Sequence, residues 1–253
     1  MPLTATRVAE LLRPYTAAAP DASVDWPRVH TQLIVYLHLL MKWNARINLT
    51  AIHSPEEIVR RHFGESLFAG LHLVCSTWNK TATAAECSTW NTSARPDSDC
   101  STWNNAAGPA PHAAVQGDLR LPASVLDFGS GAGFPGLPIQ ILWPEIQVTL
   151  AEARHKKASF LREAIRCLGL QTEVWADRVE SMPAEHKFPV VTMRAVDQMN
   201  EAVAAAAGRT SDALLILGTT DAAYPFLAAE FSAPELTPIP ETNDGVLMLF
   251  RRI

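Results

Sequence analysis

The sequence predicts an α/β fold, a doubly wound sheet preceded by a helical extension. Three observations predict it. From residue 124 onward, short runs such as Val125-Leu126-Asp127-Phe128 and Val190-Val191-Thr192-Met193 alternate with helical stretches. A glycine-rich turn follows the first of these runs directly. Upstream, the first 70 residues carry apolar residues at helical spacing instead.

Bulk properties narrow the classes. The 253 residues are 48% hydrophobic and 19% charged, enough to bury a core and too apolar for wholesale disorder. No run approaches the roughly 18 consecutive apolar residues that a membrane helix needs. Residues 1–20 show no charged-then-apolar run ending in a cleavage site, so a cytoplasmic protein is expected. A net charge of −5 excludes nucleic-acid binding through bulk charge, though not through a local basic patch. The four cysteines, Cys75, Cys87, Cys100 and Cys167, form no C-x-x-C pair, so no metal site is expected and the thiols are read as reduced.

The elements follow in order. A first helix covers residues 3–13 and is expected to end at Pro14. A second covers 25–45, where Val29, Leu33, Leu37, Leu40 and Met41 share one side. A third covers 54–70, with Ser54 and Glu57 as a capping box and Pro55 at the first helical position. These make a helical unit over residues 1–74. Residues 75–117 contain the pentapeptide Cys-Ser-Thr-Trp-Asn three times and, from Cys75 to Ala114, no Leu, Ile, Val, Met or Phe. Such a segment cannot bury enough apolar area to offset its ordering, so it is read as a flexible insertion. Residues 118–253 form the core. Its strands are Val125–Phe128, Val148–Leu150, Glu173–Trp175, Val190–Met193, Ala213–Leu217 and Val246–Arg251. Its helices are 155–168, stopped by Gly169, and 197–207. Cys167 is expected to point into the core.

The chemistry concentrates in Asp127-Phe128-Gly129-Ser130-Gly131-Ala132-Gly133-Phe134-Pro135-Gly136. Glycines here let the chain turn sharply and let a ligand approach the backbone, at the carboxyl end of the first strand. Glu152 stands at the end of the second strand, 23 residues after Gly129, where a carboxylate accepts hydrogen bonds from ribose hydroxyls. Together these describe a site for an adenosine-containing cofactor. Gly131, Gly133 and Gly136 also satisfy G-x-G-x-x-G, the dinucleotide pattern. Pro135 within it and Asp127 just before it argue against a pyrophosphate, because one removes an N–H donor and the other adds negative charge. An acidic group there suits the cationic end of S-adenosylmethionine. An NAD-dependent oxidoreductase stays the third alternative.

On these and further motifs, the chain resembles the RsmG (GidB) family of bacterial 16S ribosomal RNA guanine-N7 methyltransferases. The resemblance rests on Lys42-Trp43-Asn44 with Asn48-Leu49-Thr50, Arg61-His62 through Glu65-Ser66, and the loop from Gly129 to Gly136 with its Phe-Pro-Gly. Lys156-Lys157 with Phe160-Leu161, Arg178-Val179-Glu180 and Arg194-Ala195 extend it. The resemblance implies a Rossmann-like methyltransferase sheet that uses S-adenosylmethionine. It implies cofactor contacts from Asp127, Gly129, Gly131, Phe134, Glu152, Val179, Glu180 and Arg194, with Arg194 as the catalytic residue. Arg61, His62, Lys156 and Lys157 become candidates for RNA contact. The implied partner is 16S rRNA within the 30S subunit, bound by a monomer. Three departures stand out, the first being the insertion of residues 75–117, which is not a family feature. The family's Lys-Gly after the fifth strand is replaced by Leu217-Gly218-Thr219, and Glu65 stands for its Asp. A methyltransferase on another substrate and a degenerate, cofactor-binding ribosome-associated protein are the competing readings.

Overall fold

In the computed structural model, residues 3–17, 19, 24–76, 121–194 and 199–253 are described. Helix α1 (Ala5–Thr16) begins where Thr4 Oγ1 accepts the Arg7 N–H at 3.2 Å. It runs through Pro14 instead of stopping there. Tyr15, one residue on, is buried against Gly64, where an added Cβ would stand 2.6 Å from the Tyr15 ring. That tertiary packing outweighs the loss of one helical hydrogen bond. Helix α2 (Trp26–Asn44) is capped by Asp25, whose side chain accepts the Arg28 N–H at 3.1 Å. The third helical stretch starts with Ser54 accepting the Glu57 N–H and is three elements in one. They are α3 (Pro55–Glu57), a π-helical turn (Ile58–Gly64) and α4 (Glu65–Ser76). It extends past residue 70 because Leu71 and Leu73 are buried too. π-helical turns concentrate at functional sites, and this one carries Arg61 and His62.

The core is a seven-stranded sheet in the order β3-β2-β1-β4-β5-β7-β6. Its strands are β1 (Ser124–Phe128), β2 (Gln147–Ala151), β3 (Glu173–Trp175), β4 (Phe188–Arg194), β5 (Thr210–Thr219), β6 (Glu235–Pro238) and β7 (Gly245–Arg251). Strands β1 to β5 pair in parallel, and β7 runs antiparallel between β5 and β6. Every strand expected from sequence is present; β6 is an addition, short and largely exposed, without an apolar alternation to reveal it. The helices of this part are α5 (Gly136–Leu142), α6 (His155–Leu168) and α7 (Met199–Ala207). Helix α5 escaped the sequence reading because all seven of its residues are buried, which erases amphipathic periodicity. Helix α6 ends at Gly169, whose φ of 66° closes a left-handed cap. Cys167 on α6 is exposed rather than in the core, since Ala164 and Leu168 take the buried side.

Alternate strand residues feed two apolar clusters, one on each face. Leu126, Val191, Leu214 and Ile216 pack with α7. Val125, Val148, Val190 and Leu215 pack on the other face, in the same cluster as Val8, Leu33, Leu40, Phe63 and Leu67 of the N-terminal helices. Those helices therefore complete one cover of the sheet. Gln32 Nε2 on α2 donates to the Leu168 carbonyl, and Trp143 Nε1 to the Gly70 carbonyl, at 3.0 and 2.9 Å. Among the described residues no helix is long and apolar enough to cross a membrane.

Candidate active site

The strand order reverses between β1 and β4, and ligands bind beyond the carboxyl ends of strands at such a point. A cavity of about 550 Å3 lies there. It is lined by Gly129, Gly131 and Phe134 of the loop after β1, Glu152 after β2, Val179 and Glu180, and Arg194 ending β4. The structure thus brings seven of the eight expected cofactor residues to one cavity. His62 and Lys157 also line it, whereas Lys156 is exposed on α6 outside it. Arg61 lies on a neighbouring cavity.

The loop is held from below and from both sides. Gly129 and Gly131 have φ of 70° and 57°, which L side chains adopt at a cost. Glu152 is buried, and its two oxygens accept the Gly131 N–H at 2.9 Å and the Arg154 N–H at 2.7 Å. Each carboxylate oxygen has a second lone pair, so Glu152 can still accept from a ligand. A Cβ on Gly131 would find nothing closer than the Gly129 carbonyl at 3.8 Å and Lys157 Nζ at 3.9 Å, so the loop leaves room for a ligand.

Asp127 is the expected cofactor residue that does not line the cavity. It is fully buried beneath the loop. Its Oδ2 accepts the Gly136 N–H at 3.0 Å, and its Oδ1 accepts the Thr192 hydroxyl at 3.3 Å. Burial pushes its pKa up to about 7, against the opposing pull of these hydrogen bonds. A Cβ on Gly136 would overlap Leu150 and Asp127, so this glycine is required by packing.

The helical unit supplies the other support, which the sequence reading missed. Tyr36 on α2 is buried and its hydroxyl donates to the Ala132 carbonyl inside the loop. Its ring stacks against Phe63, Phe134 and Phe160 at 5.2, 5.5 and 6.4 Å. Asn44 Oδ1 accepts the Leu49 and Thr50 N–H groups, and its Nδ2 donates to the Thr50 carbonyl. Thr50, so fixed, pairs its hydroxyl with His62 Nε2 at 2.6 Å. The His62 ring stacks on Phe134 at 4.6 Å. Burial, with Arg194 and Arg61 nearby, lowers the His62 pKa to about 3. Burial thus disfavours the cationic form that a phosphate contact would use, and the stacked ring buttresses the loop.

Arg194 has a buried counter-ion. Its Nη2 meets Glu65 Oε2 at 2.9 Å, and the other Glu65 oxygen meets Arg61 Nε at 2.9 Å. Glu65 and the Arg194 side chain are only 7% and 14% exposed. Burial lowers the Arg194 pKa while Glu65 acts against that shift. Arg194 Nη1 is buried with no acceptor among the described residues. A buried donor without a partner costs free energy unless a ligand supplies one.

A family model described as "rRNA small subunit methyltransferase G" (GidB) matches residues 29–77 and 113–220. The chain belongs to that family. The stretch between the two matched segments holds the second and third Cys-Ser-Thr-Trp-Asn copies, and the expected insertion lies, from residue 77 on, outside the described residues. A Nitrosomonas europaea protein named ribosomal RNA small subunit methyltransferase G is 31% identical over 72% of this chain and 64% of its own length. A Chloroflexus aggregans protein of the same name is 30% identical over 88% of this chain and 82% of its own. The chain thus spans just under two thirds of the Nitrosomonas relative. A solved Aquifex aeolicus structure titled a SAM dependent methyltransferase aligns at 14% identity and a TM-score of 0.41, over 52% of this chain and 82% of that one. Within the GidB family the loop, Glu152 and Arg194 lie in the two matched segments, and so do Thr50, His62 and Glu65.

Proposed function

We propose that the protein methylates N7 of a guanine in 16S rRNA, using S-adenosylmethionine. The observation that supports this reading is that Arg194 lines one cavity together with the Gly129–Phe134 loop and Glu152, in a chain of the GidB family. Glu152 would accept the ribose hydroxyls, Val179 and Glu180 would flank the adenine, and the backbone at Gly129, Gly131 and Phe134 would hold the methionine end. Asp127 acts through the loop, by fixing Gly136. When bound, the cofactor supplies an activated methyl group on a sulfonium.

Guanine N7 carries an in-plane lone pair and no proton, so the protein needs no general base. Its contribution is alignment and electrostatics. Arg194, oriented by Glu65, presents an N–H donor suited to guanine O6 while leaving N7 open. Glu65 also offsets the Arg194 charge, which would otherwise oppose the cationic reacting group. The RNA enters within the small ribosomal subunit, and the chain acts on it as a monomer in the cytoplasm. With a net charge of −5 the protein leaves much of substrate presentation to the subunit.

The test is methyl transfer from labelled S-adenosylmethionine to 30S subunits from a strain lacking this modification, with the modified base mapped. Label on one guanine N7 supports the reading. Cofactor binding without label on any nucleotide contradicts it and favours the non-catalytic alternative.

A further inference from the structure

A second cavity, of about 530 Å3, adjoins the first. Arg194 is the one described residue that lines both. The second cavity is formed where β5 ends and the antiparallel β7 begins, and it also takes in Asn200, Thr219, Asp221 and Asp244. Thr219 pairs with Gly245 across the two strands, and the Thr220 N–H donates to the Asp244 carbonyl at 3.0 Å. The Thr219 hydroxyl holds Asp221 Oδ1 at 2.5 Å. Two exposed carboxylates thus share one rim, with a buried cationic donor lacking an acceptor at the wall next to the first cavity.

We propose, resting on the methyl-transfer reading above, that this second cavity holds the acceptor guanine and that Asp221 and Asp244 read its Watson–Crick edge. Around a guanine, N7, O6, N1 and N2 follow in order. With N7 turned to the first cavity, O6 falls at the shared wall, beside Arg194. The N1–H and N2–H groups then face the second cavity, where the carboxylates accept them. Adenine presents the reverse pattern. Its 6-amino group meets Arg194 donor to donor, and its bare N1 meets carboxylate acceptors.

The carboxylates have a second effect. Attack through N7 leaves positive charge on the purine and makes N1–H more acidic. Anions facing that edge stabilise the charge as it develops, so they act on turnover as well as on binding.

The experiment is steady-state methyl transfer to unmodified 30S subunits by the Asp221→Asn/Asp244→Asn double variant, with cofactor affinity and melting temperature measured alongside. Asn keeps the shape and removes the charge. The inference expects kcat/KM to fall roughly 100-fold, mostly in kcat, the scale of one lost base-edge contact plus lost charge stabilisation. Cofactor affinity and melting temperature stay within error, because both residues are exposed. Unchanged kcat/KM overturns the inference, as does a fall matched by lost cofactor affinity or stability. Inactive wild-type protein overturns the methyl-transfer reading instead.

Discussion

The two cavities that meet at Arg194 are built differently. The cavity proposed for the cofactor rests on backbone: a loop with positive φ, pinned by Glu152 and Asp127 through main-chain N–H groups. The second cavity rests on side chains, with a buried Arg194–Glu65 pair at one wall and exposed aspartates at the rim. A backbone-built site is specified over a few consecutive residues. A side-chain-built site is assembled from segments far apart in the chain, here Glu65 on α4, Arg194 on β4 and Asp221 after β5.

The largest effect that separates the two should come from Glu65→Ala. Removing the buried counter-ion strands the Arg194 charge, which should lower stability by about 3–5 kcal/mol in denaturant unfolding. Retained stability would mean that solvent, not Glu65, compensates Arg194. Next, Glu152→Ala removes the acceptor of the Gly131 and Arg154 N–H groups and the proposed ribose acceptor. Cofactor affinity, read by calorimetry, should weaken roughly 10- to 100-fold, a loss of about 1.4–2.8 kcal/mol. The second cavity should keep its architecture, because no residue of the Glu152 network lines it. Tyr36→Phe removes one buried donor to the loop and should cost about 1 kcal/mol, with a modest loss of cofactor affinity.

The smallest net effect is the wild type's own response to pH, where two shifts of opposite sign offset each other. Asp127 has a folded-state pKa raised to about 7, so its proton stabilises the fold below the unfolded value near 3.8. That contribution fades as pH rises from 4 to 7. His62 has the opposite sign. Its folded pKa near 3 means that its contribution is present above 6.5 and fades as pH falls toward 3. In wild type the two slopes oppose between pH 4 and 6.5. Asp127→Asn should remove one and leave stability rising with pH across that range. An unaltered melting profile would show that Asp127 is ionised in the folded protein.

How much was legible in the sequence follows the same division. The strand at 125–128, the glycine loop, Glu152 and the helix at 155–168 are local signals and stand where expected. Arg194 was located only through motif resemblance, because a lone arginine at a strand end carries no local signature. The supports contributed by Tyr36, Asn44 and Thr50 were invisible, since their partners lie 96, 6 and 12 positions away and only folding brings them together. In sequence His62 is equally a phosphate contact or a helix-packing residue; in the fold it is a buried ring stacked on Phe134. The Asn-Leu-Thr stretch was recognisable, but its role in holding His62 was not.

In the proposed reading Arg194, though it lines the cofactor cavity, serves the acceptor guanine. The most direct measurement pairs methyl transfer to unmodified 30S subunits with calorimetric binding of S-adenosylhomocysteine, for wild type and Arg194→Ala. With Arg194 in that role, kcat falls roughly 100-fold while the affinity changes by less than about threefold. Turnover and affinity falling together, or turnover unchanged, would contradict it.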